Sequence, residues 1–140
     1  MMSLTFPGGH LKTVEIEETN GNIDTDYSPG TKRAIILGGQ VEIVCDGTSV
    51  NRVLKMFILT SGEDTIEESF QSDNITADQT RQVIFSKNAQ EADANPSQHG
   101  HLNVPDSWII EGDEIFRLRI NNGQSDDSYS GRFRVLEFGL

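Results

Sequence analysis

The 140-residue chain contains one cysteine, Cys45. A single cysteine excludes a disulfide within the chain, and its place in the apolar alternation 41–45 is typical of a small buried hydrophobe. No window approaches the ~20 apolar residues of a membrane-spanning helix. The first residues also lack the cationic start and apolar run of a secretory signal. These absences predict a soluble protein made in a reducing cytoplasm.

Basic residues are scarce. The chain has 11 lysines and arginines against 22 aspartates and glutamates, which gives a formal net charge of −11. A field of this sign repels phosphate backbones and anionic lipid headgroups. We therefore expect neither nucleic acid nor a membrane as a partner.

Recognisable catalytic and cofactor motifs are also missing. The sequence has no Gly-x-Ser-x-Gly elbow, no phosphate-binding glycine loop and no cysteine flanked by histidine. His99 and His101 are two residues apart and would point the same way in an extended segment, as a metal pair can require. The third histidine, His10, is far away in the sequence, so two solvated loop histidines are the favoured interpretation. We predict no enzyme, no metal and no cofactor.

The pattern that is present is a period-2 alternation. Phe116, Leu118 and Ile120 alternate with Arg117 and Arg119, as in a strand with one face on a core and the other in water. Similar segments recur at residues 11–17, 33–37, 40–45, 51–60, 80–86, 108–120 and 131–138. Residues 61–78 are ambiguous, and we expect irregular structure or a strand there. About eight short strands predict an all-β fold, a two-sheet antiparallel β-sandwich or jelly roll.

The chain divides at about residue 31. Residues 1–31 combine little periodicity with a polar stretch at 24–30, which predicts an N-terminal arm or a peripheral hairpin. Residues 32–140 contain the remaining predicted strands and form the β-sandwich domain.

Two predicted strands carry apolar side chains on both faces. The segment 52–59 is apolar on each side, and the last strand changes phase after Val135. A loop of the same chain or another subunit would cover the extra face of the first strand, and a bulge or a subunit interface would explain the second. Arginines of the final hairpin either pair within the chain or form a basic stripe toward a partner. The predicted oligomer or capsid interface comprises Val53, Phe57, Leu59, Leu136, Phe138, Arg117, Arg119, Arg132 and Arg134.

Two polar loops are candidates for ligand binding. Residues 87–106 form the longest stretch without apolar periodicity and contain His99 and His101, and loops of this length are often functional. Tyr129 lies in the polar stretch 121–131, where its ring could stack on a sugar. Trp108 begins an apolar run and is expected in the core.

With its short strands, its long final hairpin and its ragged N-terminal segment, the chain resembles the small jelly-roll decoration (cement) proteins of tailed-bacteriophage capsids. The resemblance covers roughly residues 32–140 and is architectural. It implies a homotrimer on the outer surface of the virion, bound to the major capsid protein and without catalytic residues. One alternative is a carbohydrate-binding or receptor-binding β-sandwich module. A second alternative, a small β-sandwich enzyme, has no motif in its favour.

Overall fold

The structure is a computed structural model, and it describes residues 9–16, 24–68, 74–86, 99–105 and 108–139. These residues form ten β-strands and no helix. The strands are β1 His10–Ile16, β2 Asp24–Tyr27, β3 Lys32–Val44, β4 Val53–Leu59, β5 Thr65–Glu68, β6 Thr80–Ser86, β7 His99–Asn103, β8 Ile109–Glu111, β9 Ile115–Asn121 and β10 Ser128–Gly139. None of the described segments is a helix long and apolar enough to cross a bilayer.

The strands make two sheets. Sheet A has the order β1-β10-β3-β6-β7, with β8 also paired to β3, and sheet B has the order β2-β9-β4-β5. All described pairings are antiparallel except the parallel pairing of β6 with β7. The prediction of an all-β, two-sheet sandwich is confirmed, with ten described strands where about eight were expected.

Apolar side chains between the sheets form one core. Phe116, Leu118 and Ile120 are at most 1% exposed, as their alternation predicts. The rings of Phe116 on sheet B and Phe133 on sheet A meet edge to face, with centroids 5.3 Å apart. Trp108 is 2% exposed and packs against Phe116, which confirms its predicted place in the core. Removing this apolar surface from water is the main force that holds the two sheets together.

Strand β3 passes through the predicted break at Gly38-Gly39 as one continuous element. Gly38 has a φ of +144°, which residues with a side chain rarely adopt. The pairing between β3 and β10 shifts register at this point. The glycines therefore bend a strand where the sequence predicted its end. Conversely, the sequence predicted one continuous strand over residues 108–120, but the structure has two. A turn at Gly112, with a φ of +58°, separates β8 from β9.

The last strand does not change phase. Phe133, Val135 and Glu137 all face the core, while Leu136 and Phe138 lie on the outer face and are half-buried. A polar residue at a buried position made the alternation appear to break. Glu137 is only 7% exposed. Its carboxylate accepts a hydrogen bond from the Tyr27 hydroxyl of sheet B, which offsets the cost of burying it.

The described parts of residues 1–31 belong to the two sheets. Strand β1 pairs with β10 at an edge of sheet A, and β2 pairs with β9 at an edge of sheet B. They do not form a hairpin with each other, and Ile16 and Tyr27 join the core. Residues 1–8 and 17–23 lie outside the described residues. The division of the chain at residue 31 stays a prediction.

Candidate functional site

An apolar row crosses the outer face of sheet A. Leu11 of β1 lies opposite Leu136 of β10, Leu136 lies opposite Ile35 of β3, and Ile35 lies opposite Ile109 of β8. Leu11 is 51% exposed and Ile109 is 44% exposed, while Leu136 and Ile35 are half-buried. We call these four residues the apolar row. Four adjacent strands thus present large aliphatic side chains side by side on a solvent face, where polar residues are the rule.

The register shift in sheet A adds a fifth aliphatic side chain nearby. Arg134 pairs with Gly38 and Val135 pairs with Ile36, which leaves Leu37 without an opposite residue in β10. Leu37 is 37% exposed. The bulge thus widens the apolar surface beside the row.

Three arginines flank the apolar row on the same face. Arg33 pairs with Glu111 at 3.2 Å. Arg132 lies 3.9 Å from Glu15, and the two side chains are 66% and 63% exposed, so this pair contributes little to stability. Arg134 is exposed and forms no ion pair within the part of the chain that the structure describes. Guanidinium groups on Arg132 and Arg134 are therefore accessible from outside.

The predicted basic stripe of four arginines does not lie on one face. Arg132 and Arg134 belong to β10 in sheet A, whereas Arg117 and Arg119 belong to β9 in sheet B. The two strands follow one another in the chain but lie in opposite sheets. The sequence suggested a single final hairpin, and a strand connection that crosses between sheets separates the pairs.

A hollow of about 310 Å³ lies next to the apolar row. Its walls and floor include Gly38, Gly39, Ile84, Arg132 and Arg134. A second hollow of about 260 Å³, which shares Gln40 and Arg132 with the first, extends toward Glu15, Glu42, Gln82 and Ser130. The outer face of sheet A is therefore concave beside its apolar strip.

The outer face of sheet B covers its own apolar residues. Phe57 is 9% exposed and Leu59 is 4% exposed, and the guanidinium carbon of Arg119 lies 5.6 Å from the centroid of the Phe57 ring. Arg117 donates two hydrogen bonds to Asp26, at 2.6 and 2.8 Å, and one to Glu63 in the turn after β4. Of the two explanations for the doubly apolar strand, the structure shows cover by the same chain. Val53 is half-buried on this strand.

Tyr129 is buried in the core rather than displayed on a loop. It lies on β10, is 1% exposed and donates a hydrogen bond of 3.2 Å to Asp127. Burial, together with the nearby Asp127 carboxylate, raises the pKa of its hydroxyl. The prediction that its ring offers a stacking platform for sugar is wrong in this structure, because period-2 burial continues further into the polar stretch than expected.

His99 and His101 lie in β7, so the predicted loop 87–106 contains a strand. The backbone register places His99 beside Gln82 and His101 beside Ile84 of β6. Their side chains, and residues 87–98, lie outside the described residues. Within the described residues, no group of three or more histidines, cysteines, aspartates or glutamates is arranged to hold a metal ion.

A buried charge cluster at one end of the sandwich was missed by sequence reasoning. Arg52 and Asp127 are both fully buried and form two hydrogen bonds of 3.0 Å, and Arg52 also donates to Asp46 at 2.7 Å. Burial alone would raise the pKa of the Asp127 carboxyl, but hydrogen bonds from Arg52 and from two backbone amides outweigh it and lower this pKa. The partners are 75 residues apart, so no local pattern could reveal them.

Comparison with known proteins finds little similarity in sequence or structure. No family model matches the chain, and no curated protein matches it. Among solved structures, the chain is similar to part of a chain in the structure of infectious bursal disease virus Gx strain, with a TM-score of 0.42 and 11% sequence identity. The match covers 91% of this chain and 32% of that chain, so this chain spans about a third of its length. Similarity of this degree assigns neither a family nor a function.

Proposed function

We propose that this protein is a non-enzymatic structural protein of a virion, a capsid decoration (cement) protein that forms a homotrimer and stabilises the outer surface of the shell. The observation that carries the proposal is the apolar row on the outer face of sheet A. An aliphatic strip across four strands has no role in the core of this chain and is suited to burial against another protein. The proposed location is the virion surface, after synthesis in the host cytoplasm.

The proposed occupant of this face is the major capsid protein of the shell. Among the described residues that face outward on sheet A, three arginines (Arg33, Arg132, Arg134) are matched by three glutamates (Glu15, Glu42, Glu111). The whole chain carries a formal charge of −11. The charges on this face therefore balance, so it repels an acidic partner surface less than the charge of the whole chain would.

One copy of the face would bind weakly. Complete burial of an exposed leucine or isoleucine contributes roughly 1.5–3 kcal/mol, and the apolar row is already partly covered. Association also costs several kcal/mol in lost translation and rotation. A homotrimer would present three linked faces to the shell, and each further contact is then intramolecular, which raises the overall affinity far above that of one face.

Co-sedimentation with shells assembled from the major capsid protein tests the docking face. Leu136→Asp places a charge in the centre of the apolar row, and we expect it to reduce shell binding at least about tenfold. Ile66→Asp is the matched control, because Ile66 is 46% exposed on β5 of sheet B, away from the row. Equal binding by the Leu136→Asp variant and the unaltered protein would overturn the proposed docking face.

Native mass spectrometry of the unaltered chain tests the assembly state separately. We expect the mass of three copies over the micromolar concentration range. A monomer at every concentration would refute the trimer, whatever the result of the co-sedimentation.

A further inference from the structure

The hollow over Gly38 and Gly39 has a floor of main chain. A Cβ atom on Gly38 would lie 2.6 Å from the carbonyl oxygen of Phe85, and one on Gly39 would lie 2.3 Å from that of Arg132. Neighbouring strands approach β3 too closely for a side chain at either position. Glycine within a strand often marks a place where another backbone can come close, and here the hollow opens to solvent beside the apolar row.

Two arginines border this hollow at a fixed spacing. Arg132 and Arg134 are two residues apart on β10 and lie on the same face, so their Cα atoms are separated by roughly 6.8 Å. Alternate residues of any extended chain have the same separation. Two carboxylates at positions i and i+2 of an extended segment therefore match the two guanidinium groups one to one.

The guanidinium groups are available for such pairing. Among the residues that the structure describes, the only ion pair of Arg132 is the long contact with Glu15, and Arg134 forms none. Arginine binds a carboxylate through two parallel N–H···O hydrogen bonds, which fixes geometry as well as sign. Ile84 on β6 adds an apolar wall across the hollow from β10. The site thus combines two cationic positions with an apolar surface.

We propose that the outer face of sheet A recognises its partner through one extended segment of the partner chain, with carboxylates at alternate positions and apolar side chains between them. The carboxylates pair with Arg132 and Arg134, and the apolar side chains lie against Ile84 and Leu37. This inference rests on the proposed function and names the chemistry of the partner at that face. A nucleic acid is disfavoured as the occupant, because the chain as a whole is strongly acidic.

A peptide titration tests this chemistry without the shell. The probe is a capped pentapeptide in which valine alternates with glutamate, and the matched probe has glutamine in place of glutamate. We expect saturable binding of the glutamate peptide to the full chain, seen as amide shift changes at Gly38 and Gly39 in the NMR spectrum. The glutamine peptide should bind about tenfold more weakly.

Arginine variants show where the peptide binds. The double variant Arg132→Gln/Arg134→Gln should weaken binding of the glutamate peptide about tenfold. Arg33→Gln is the matched control on the same face, since Arg33 is already paired with Glu111, and it should leave the affinity within about twofold. Thermal unfolding of each variant checks that the fold is retained, as expected for exposed side chains.

In the peptide titration, any of three results would overturn the inference: no saturable binding of the glutamate peptide, equal binding of both peptides, or unchanged binding by the double variant. Tighter binding of a short single-stranded oligonucleotide at the same residues would also overturn it in favour of a phosphate ligand. Shell binding that depends on Leu136 but not on the two arginines would refute this inference and leave the proposed function standing. Failure of the unaltered protein to bind shells would refute the proposed function itself.

Discussion

Arg52 and Asp127 have no exposed surface, and both carry a charge. Each ion leaves water at a cost of several kcal/mol, which their mutual attraction and the hydrogen bonds around them offset. Arg52 donates further to the carbonyl oxygens of Thr48 and Val50, at 2.9 and 2.8 Å. The cluster thereby holds the loop between β3 and β4 against the turn between β9 and β10.

Removing the charge of Asp127 should destabilise the fold strongly. We expect Asp127→Asn to lower the free energy of unfolding by about 3 kcal/mol, because Arg52 loses its fully buried counter-ion and keeps only the partly exposed Asp46 carboxylate. Asp126→Asn is the matched control, since the neighbouring Asp126 is exposed, and it should change the value by less than about 0.5 kcal/mol. Urea unfolding of the three proteins measures the difference, and similar midpoints for all three would contradict the prediction.

The carboxyl group of Asp127 also makes the stability of the fold depend on pH. The pKa of Asp127 is lower in the folded than in the unfolded chain. Its contribution to stability is therefore complete above the unfolded pKa of about 4 and is lost as the pH falls through the folded pKa. The Asp127→Asn variant lacks this carboxyl, so it should lose less stability than the unaltered protein between neutral pH and pH of about 3. Urea unfolding at the two pH values measures both losses, and equal losses would contradict the assignment.

At the scale of strands, alternation predicted much of the fold. Residues 80–86 were predicted as a strand with the bounds that β6 has, and 11–17 differs from β1 by one residue at each end. Alternation failed where a buried polar residue interrupted it, as at Glu137, whose partner Tyr27 is 110 residues away. It also missed β2, because Asp24–Tyr27 is polar apart from its final residue. The apolar row is formed by the register between four strands. It therefore cannot be recognised in any single segment of the sequence.

Close approach between strands makes two glycines in sheet A irreplaceable. A Cβ atom on Gly131 would lie 2.0 Å from the carbonyl oxygen of Gln40, and one on Gly39 would lie 2.5 Å from the Cβ of Phe133. Gly131 also has a φ of +155°. Neither contact involves the flexible end of a side chain, so the strands themselves would have to move apart.

We expect Gly39→Ala and Gly131→Ala each to lower the free energy of unfolding by about 2–3 kcal/mol. Gly139→Ala is the control in the same strand as Gly131, because nothing lies within 4 Å of a Cβ atom there. That variant should differ from the unaltered protein by less than about 0.5 kcal/mol. Chemical denaturation gives all three values, and an unchanged stability of the Gly131→Ala variant would show that β10 and β3 leave room for a methyl group at this position.

Both tyrosines of the chain make the stability of the whole molecule depend on alkaline pH. Tyr27 links sheet B to Glu137 of sheet A, and Tyr129 binds Asp127 in the charge cluster. Burial, followed by the neighbouring carboxylates, raises the pKa of each hydroxyl above its ordinary value of 10.0. The folded protein keeps both hydroxyls protonated at a pH where the unfolded chain would ionise them.

Stability should therefore be complete below pH of about 10 and fall as the pH rises beyond it. Because the chain has only these two tyrosines, tyrosinate absorbance should rise together with the loss of β-sheet circular dichroism during an alkaline titration. In the Tyr27→Phe variant the remaining Tyr129 should behave in the same way. An absorbance change centred near pH of about 10 with unchanged dichroism would show that a tyrosine ionises in the folded state.

Cys45 is 6% exposed, lies beside the Arg52 cluster, and has a thiol whose pKa burial raises. The sole sulfhydryl is thus shielded from oxidants and from the sulfhydryls of other copies, and no covalent bridge contributes to the fold. A change between reducing and oxidising surroundings therefore breaks no disulfide in this fold. Association between copies through a disulfide would require this buried thiol to become exposed, so contact between folded copies is non-covalent.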